Sequence, residues 1–391
     1  MPESAEVVVV GGGVMGVSIA FHLARARLGR VILLEKRFVG AGSSGKSGAI
    51  IRQHYSHEVT AAMALWSLRF FTRFREETGY DAEFRQPGFL MLVRESDRAA
   101  IEGNVALQRS VGVETRLVVG DDLRALDPRA RFGSDVGAWE PEGGWVNPLA
   151  VLHGFATRAR ELGADLREGV TVTRIRRDGS RAVGVETDHG PIAAGTVILA
   201  AGPWSNRVAR ASGFELPLTV IRPSITYLAR PRDFGAPHPV VGDLPCGIYY
   251  RPDAGNLTLI GAFDTADDPV VDDPDRYPEA APSEFIERCH AAIARRYPAL
   301  ERAYRRGGYS ALYTCTPDFH PIIDGAPGIE GLFLVTGFSG HGFKLSPAVG
   351  QAITDRLLGR RSEAADLSLF AADRFEAGRT IASRYGYGLL S

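Results

Sequence analysis

The residues that most constrain this chain are Val7–Glu35, where three glycines stand between two apolar runs. Val7–Val10 is short and continuously apolar, the pattern of a strand covered on both faces. Gly11, Gly13 and Gly16 follow in G-x-G-x-x-G spacing. Val17, Ala20, Phe21, Leu23 and Ala24 then form the stripe of a helix running to about Ala26. Val31–Leu34 reads as a second buried strand, ending at Glu35. The first glycine permits a tight turn, the second lets a pyrophosphate approach the backbone, and the third lets helix and strand pack closely. The helix start, at Val14 and Met15, offers N–H groups and a partial positive charge to phosphate. Glu35 lies 19 residues beyond Gly16, where a carboxylate can accept from ribose hydroxyls. A dinucleotide site is expected here; a purely structural glycine turn is the plain alternative.

The chain has 391 residues, 45% of them hydrophobic, enough for two domains. Its 45 basic and 46 acidic residues leave a net charge of −1, which argues against nucleic acid. Cys246, Cys289 and Cys315 are odd in number and far apart, showing neither metal spacing nor a disulfide framework. The N-terminus lacks the basic region and cleavage site of a signal peptide, and no apolar run approaches the roughly 18 residues of a membrane span. A cytoplasmic protein without metal, membrane or nucleic-acid partners, free to form an oligomer, is expected.

Beyond Glu35, a long helical pattern runs from about Glu58 to Thr78, followed by the strand Phe89–Val93 and a turn-rich stretch to Asn147-Pro148. A helix at about 148–162 leads into strands at 170–175, 182–186 and 196–200. Further strands at 247–250 and 257–260, a helix at about 283–297, a strand at 332–335 and a last helix near Gly359 complete the chain. The fold class expected is α/β: a Rossmann-type dinucleotide domain interleaved with a β-rich substrate domain of α+β type. The first would comprise 1–80, 148–215 and 316–391, the second 81–147 and 216–315.

The fingerprint does not separate NAD from FAD, but two later segments favour a flavin. Gly40–Gly48 is dense enough in glycine for backbone to lie against a flat ligand, and Ser43 and Ser44 can bind phosphate or ribityl oxygens; a flexible solvent loop is the alternative. Gly337–Lys344 precedes a helix whose entry is marked by Ser346 as N-cap and Pro347 as first helical residue. A helix N-terminus aimed at the pyrimidine oxygen of a flavin stabilises the negative charge gained on two-electron reduction.

With those segments in hand, the chain resembles the sarcosine oxidase/glycine oxidase family of FAD-dependent amine oxidases, nearly end to end from Val8 to about Gly359. The resemblance rests on the fingerprint, Gly42-Ser-Ser followed by Ile50-Ile-Arg52, Ala200-Ala-Gly-Pro-Trp204, Gly247-Ile-Tyr-Tyr250, Tyr313-Thr-Cys-Thr-Pro-Asp318, and Gly337–Lys344. It implies FAD contacts at Gly11, Gly13, Val14, Met15, Gly16, Glu35 and Lys36. A second set would be Gly42, Ser43, Ser44, Ala49, Ile50, Val172, Gly202 and Trp204. The closing set would be Gly337, Ser339, Gly340, His341, Gly342 and Lys344. It implies that Arg52 and Lys344 bind a substrate carboxylate and that Tyr250 and Tyr313 line the substrate pocket. An arginine fork and a lysine point charge converging on one anion make chemical sense, although a surface salt bridge is the commoner use of either alone.

The likeness is closest to the sarcosine oxidases, because the primary-amine branch usually carries an arginine near Tyr313. Two positions depart from the monomeric sarcosine oxidases. Ala311 stands where a cysteine tethers FAD, so non-covalent FAD is expected and Cys315 reads as packing. Leu259 stands where a lysine activates oxygen, with Lys46 as a candidate substitute. The activity implied is oxidation of a secondary α-amino acid, such as sarcosine, to an imine that hydrolyses, with oxygen as acceptor giving hydrogen peroxide. His54 and His341 are candidates for tuning amine protonation. The alternatives are a dehydrogenase or flavoprotein subunit serving a quinone or partner protein, a glycine or D-amino acid oxidase, and a non-catalytic dinucleotide-binding protein.

Overall fold

The computed structural model describes residues 3–265, 268–382 and 384. Glu3–Val10 and Val31–Glu35 pair in parallel, as two strands joined through a right-handed crossover helix must. They sit at the centre of a sheet ordered Ile322–Gly325, Leu332–Thr336, Gly190–Leu199, Glu3–Val10, Val31–Glu35, Asp165–Glu168, with Arg181–Thr187 and Val172–Asp178 added antiparallel off Gly190–Leu199. Its strands therefore come from three separated stretches of chain. The helix Val14–Arg25 is buried along eleven consecutive residues, Val14–Ala24, beneath the helices Pro148–Glu161 and Gly342–Leu357.

A second eight-stranded sheet runs Tyr304–Ser310, Ser224–Ala229, Leu257–Ala262, Ile248–Asp253, Val240–Asp243, Phe89–Val93, Val136–Glu140, Arg116–Val119. Every pairing is antiparallel except Val240–Asp243 with Phe89–Val93, and that parallel pair joins strands more than a hundred residues apart into one sheet. The helix Ser283–Arg296 covers one face, where Tyr250, Phe285, Cys289, Ile293 and Tyr297 pack together. The opposite face carries Phe89, Met91, Tyr249 and Phe263. Side chains alternate along a strand, so neighbours Tyr249 and Tyr250 necessarily face opposite ways.

Three local expectations need correction. The helical pattern from Glu58 breaks at Arg73 (φ −106°, ψ 19°), leaving Glu58–Thr72 and Phe74–Thr78. A helix, Arg98–Ser110, occupies part of the stretch read as turns; its buried positions are Ile101, Asn104, Val105 and Gln108. That spacing is helical, but two of the four residues are amides, so an apolar count misses the stripe. The last long helix begins at Gly342 rather than after Ser346. Pro347 lies inside it, lacking the N–H that would bond the Phe343 carbonyl, and the Ser346 hydroxyl donates to that oxygen at 2.8 Å instead. Among the described residues no helix is long and apolar enough to cross a membrane.

Candidate active site

A cavity of about 450 Å³ opens at the carboxyl ends of the parallel strands, where open α/β sheets bind ligands. Gly11 turns the chain there with φ +109°, and a Cβ on it would stand 2.6 Å from the Ala200 carbonyl oxygen. Only glycine allows that crossing. Val14 and Met15 begin the adjoining helix, which has no acidic residue in its first turn; the Ser44 hydroxyl accepts from Val14 N–H at 2.9 Å and keeps its own proton to donate. The start of the helix Gly342–Leu357 reaches the same cavity through Gly342 and Phe343, again without an acid in its first turn. Two positive helix ends thus face one space, a setting suited to pyrophosphate and to a ring that becomes anionic. Glu35 also lines it, its carboxylate braced by Gly12 N–H at 2.7 Å and Arg37 N–H at 2.9 Å.

The loop 273–279 contributes Asp275 to the lining of this cavity. Asp275 accepts from Arg207 (2.6 Å), Trp204 Nε1 (3.0 Å) and Lys36, whose ammonium also lies 4.4 Å from the centre of the Trp204 ring. Lys46 donates to the Tyr277 phenol at 2.9 Å and lies 3.3 Å from Glu279.

A smaller cavity of about 90 Å³ adjoins the first; Ser47, Gly48, Tyr313, Gly340 and Phe343 border both. Its cations are Arg52 and Lys344, each 7% exposed, and among the described residues no Asp or Glu lines it. Both cations use the ring of Tyr55, Arg52 at 4.5 Å and Lys344 at 6.0 Å from its centre. Arg52 also donates to the His54 carbonyl. Gly340, at φ +84°, lets the Tyr313 ring come within 2.8 Å of where its Cβ would be. Two residues beside these cavities, Ala49 (φ +47°) and Ser339 (φ +48°), hold left-handed backbone although neither is glycine, strain of a kind that gathers at functional sites.

Burial and the neighbouring Arg52 hold the Lys344 ammonium well below its ordinary pKa. Burial, then Lys344 and Arg52, does the same to His341, and burial with Arg52 takes His54 down to about 3; both imidazoles are neutral. Behind the cations lies Glu140, fully buried, accepting from Gln53 N–H at 2.8 Å with its other oxygen 3.7 Å from His54 Nδ1. Burial pushes its carboxyl up to about 7, against the pull of that N–H and Arg52.

The family model of FAD dependent oxidoreductases matches residues 6–356. The chain belongs to the FAD-dependent oxidoreductase family. It is 30% identical to 4-methylaminobutanoate oxidase (formaldehyde-forming) of Paenarthrobacter nicotinovorans over 95% of this chain, spanning 46% of that longer protein. It is 29% identical to sarcosine oxidase subunit beta of an Arthrobacter species, covering 97% of this chain and 93% of the relative. Among solved structures, L-proline dehydrogenase from P. horikoshii superposes with a TM-score of 0.89 at 27% identity, covering 97% of this chain and all of the other.

The cradle of this FAD-dependent oxidoreductase fits the cofactor: two helix starts without an acid in the first turn, a glycine crossing and a braced carboxylate meet in one cavity. Gly11, Gly13, Val14, Met15, Glu35, Lys36, Gly42, Ser43 and Ser44 line it, as do Val172, Gly202, Trp204, Gly337, Ser339, Gly340 and Gly342. Gly16 lies beneath, where a Cβ would collide with the Gly11 carbonyl at 1.8 Å, so its part is packing. Ala49, Ile50, His341 and Lys344 border the smaller cavity rather than the larger. Tyr250 is a correction: it borders neither. Its ring is fully buried on the far face, 5.2 Å from His238 and 5.9 Å from Tyr297, and Tyr249 takes the pocket position. His54 also borders neither cavity, and Lys46 is engaged with Tyr277 and Glu279. Cys315 is buried outside both cavities, its thiol pushed up to about 12 by burial, while Ala311 lines the larger. Tyr55, Glu140, Tyr249 and the Asp275 loop were not found from sequence. Alternation along Ile248–Asp253 offered Tyr249, but not which face looked at the ligand.

Proposed function

We propose that this flavoenzyme oxidises a secondary α-amino acid at its C–N bond, giving an imine that water hydrolyses, with oxygen as electron acceptor and hydrogen peroxide as product. The observation that carries the reading is the pairing of Arg52 and Lys344 in a small cavity that shares Tyr313 and Gly340 with the dinucleotide cavity. Two cationic side chains lining one small cavity suit an anion, and a substrate carboxylate supplies it. Positive charge at Arg52 and Lys344 disfavours a substrate ammonium beside them, which favours the neutral amine whose adjacent C–H can lose a hydride equivalent. The bound FAD supplies the two-electron acceptor. The chain fixes the carboxylate, turns the C–H toward the shared border and keeps His341 neutral beside it. The names of the relatives, an oxidase of a methylamino acid, a sarcosine oxidase subunit and a proline dehydrogenase, agree with a secondary amine. Ala311 on the cavity wall, where the resemblance puts the tethering cysteine, supports non-covalent attachment, and acid precipitation should leave the flavin in the supernatant.

Leu259 favours a second reading for the acceptor. It packs against Gly48, which borders both cavities, without lining either itself, and it stands where the resemblance puts an oxygen-activating lysine, so a quinone or partner protein as acceptor is the alternative. Anaerobic bleaching by a panel of N-methyl, cyclic and free amino acids, followed by air, tests both readings. No bleaching by any amino acid would refute the substrate class; bleaching without reoxidation in air would replace oxygen by another acceptor.

A further inference from the structure

We infer that the substrate carries a compact apolar group on its α-carbon, and that Gly242 sets how large that group can be. The inference rests on the amino-acid reading above and sharpens it. The cationic end of the small cavity is Arg52 and Lys344; the remainder is carbon-rich, walled by Ile50, Phe89, Tyr249 and Phe263. Tyr249 and Phe263 pack with ring centres 5.5 Å apart, and Tyr249 lies flat over Gly261, where a Cβ would meet its ring at 2.2 Å. These rings come from separate strands of the second sheet and the loop after one, so they form a cup fixed by sheet pairing.

Gly242 is the floor of that cup. It pairs across the sheet with Met91 on one side and Tyr249 on the other. A Cβ there would stand 2.7 Å from Met91 Sδ, 3.2 Å from Phe263 Cζ and 3.5 Å from Phe89 Cζ. Gly242 is extended backbone inside a strand, where glycine is ordinarily a weakness, so its use here is to let Met91, Phe263 and Phe89 close over it; a Cβ would push those side chains into the cup. A substrate whose α-carbon bears only hydrogen would leave this cup without contacts, whereas a pyrrolidine ring or a short branched chain fills it.

The test compares wild type with Gly242→Ala and Phe263→Leu, each FAD-loaded, by anaerobic bleaching with sarcosine, N-methylalanine, proline and N-methylleucine. In wild type, proline or N-methylalanine should exceed sarcosine in kcat/KM. Gly242→Ala should lower the proline-to-sarcosine ratio about 10–200-fold, the range for one methylene in a tight apolar pocket. Phe263→Leu should shift the optimum toward N-methylleucine, and it does so without adding atoms beside Met91, so a folding failure of Gly242→Ala leaves a working arm. Bleaching with the same preference order in all three proteins overturns the inference and leaves the amino-acid reading standing. No bleaching of wild type by any amino acid overturns both.

Discussion

Replacing Lys344 by methionine should make the protein more stable and the enzyme worse. In the folded chain the Lys344 ammonium is 7% exposed, shares the Tyr55 ring with Arg52, and has the His341 carbonyl 3.5 Å away. Replacing buried ionised groups by well-packed apolar ones is often neutral or stabilising by ~1–4 kcal/mol, and this substitution also removes the repulsion between Lys344 and Arg52. With unfolding entropy near 2.1 cal/mol/K per residue, the 391-residue chain would gain about 1–5 °C in Tm. Burial and Arg52 depress the Lys344 pKa below its ordinary 10.5. Between the folded value and 10.5 the unfolded chain binds more protons, so wild-type stability rises with pH across that window. The advantage of Lys344→Met should therefore be greatest at low pH and shrink as the pH approaches 10.5. Activity should move oppositely. Losing one partner of a buried, hydrogen-bonded charge pair costs ~2–5 kcal/mol, or about 30–5000-fold in kcat/KM. Thermal denaturation of the FAD-loaded proteins from pH 6 to 10, alongside steady-state kinetics with the best bleaching substrate, supplies both readouts. A variant that is less stable at every pH and retains wild-type kcat/KM would refute both the buried-cation account and the carboxylate assignment.

Further outcomes follow from other sites. Gly11→Ala combines a left-handed φ with a Cβ 2.6 Å from a carbonyl oxygen; strain and overpacking of ~2–6 kcal/mol should appear as a lowered urea midpoint and substoichiometric flavin. Full flavin with an unchanged midpoint would contradict the close crossing. Asp275→Asn weakens the contacts to Lys36 and Arg207, which line the cavity with it. At ~1 kcal/mol for such partly exposed pairs, FAD should dissociate about five times faster, measured by the return of free-flavin fluorescence. An unaltered rate would mean the loop does not retain the cofactor. Glu140 is raised from 4.5 to about 7, so between those values the folded state holds the extra proton and stability falls as pH rises. Glu140→Gln should remove that fall, worth up to roughly 3 kcal/mol between pH 4 and 8; parallel wild-type and variant curves would show that the carboxyl is not perturbed.

The Val7–Glu35 unit was legible because its constraints are local. A glycine crossing, a helix start and a strand-end acid fall within one short segment, and their spacing reports the phosphate-binding turn without reference to the rest of the chain. That Gly337–Lys344 leads into a helix was legible too, although Pro347 suggested too late a start, since nothing local announces that the Ser346 hydroxyl can satisfy the Phe343 carbonyl. The choice between Tyr249 and Tyr250 was of another kind. Sequence supplies the alternation, but which face meets the ligand depends on the sheet covering its other face with the helix Ser283–Arg296. Likewise Asp275 reaches Lys36 across 239 positions, and Glu140 reaches Gln53 across 87. Sequence by itself therefore determined the glycine turn and the α/β class, while the resemblance pointed to Arg52 and Lys344. The tertiary structure decided what shares a cavity with them, because burial, like-charge proximity and the packing over Gly242 exist only once distant strands have paired.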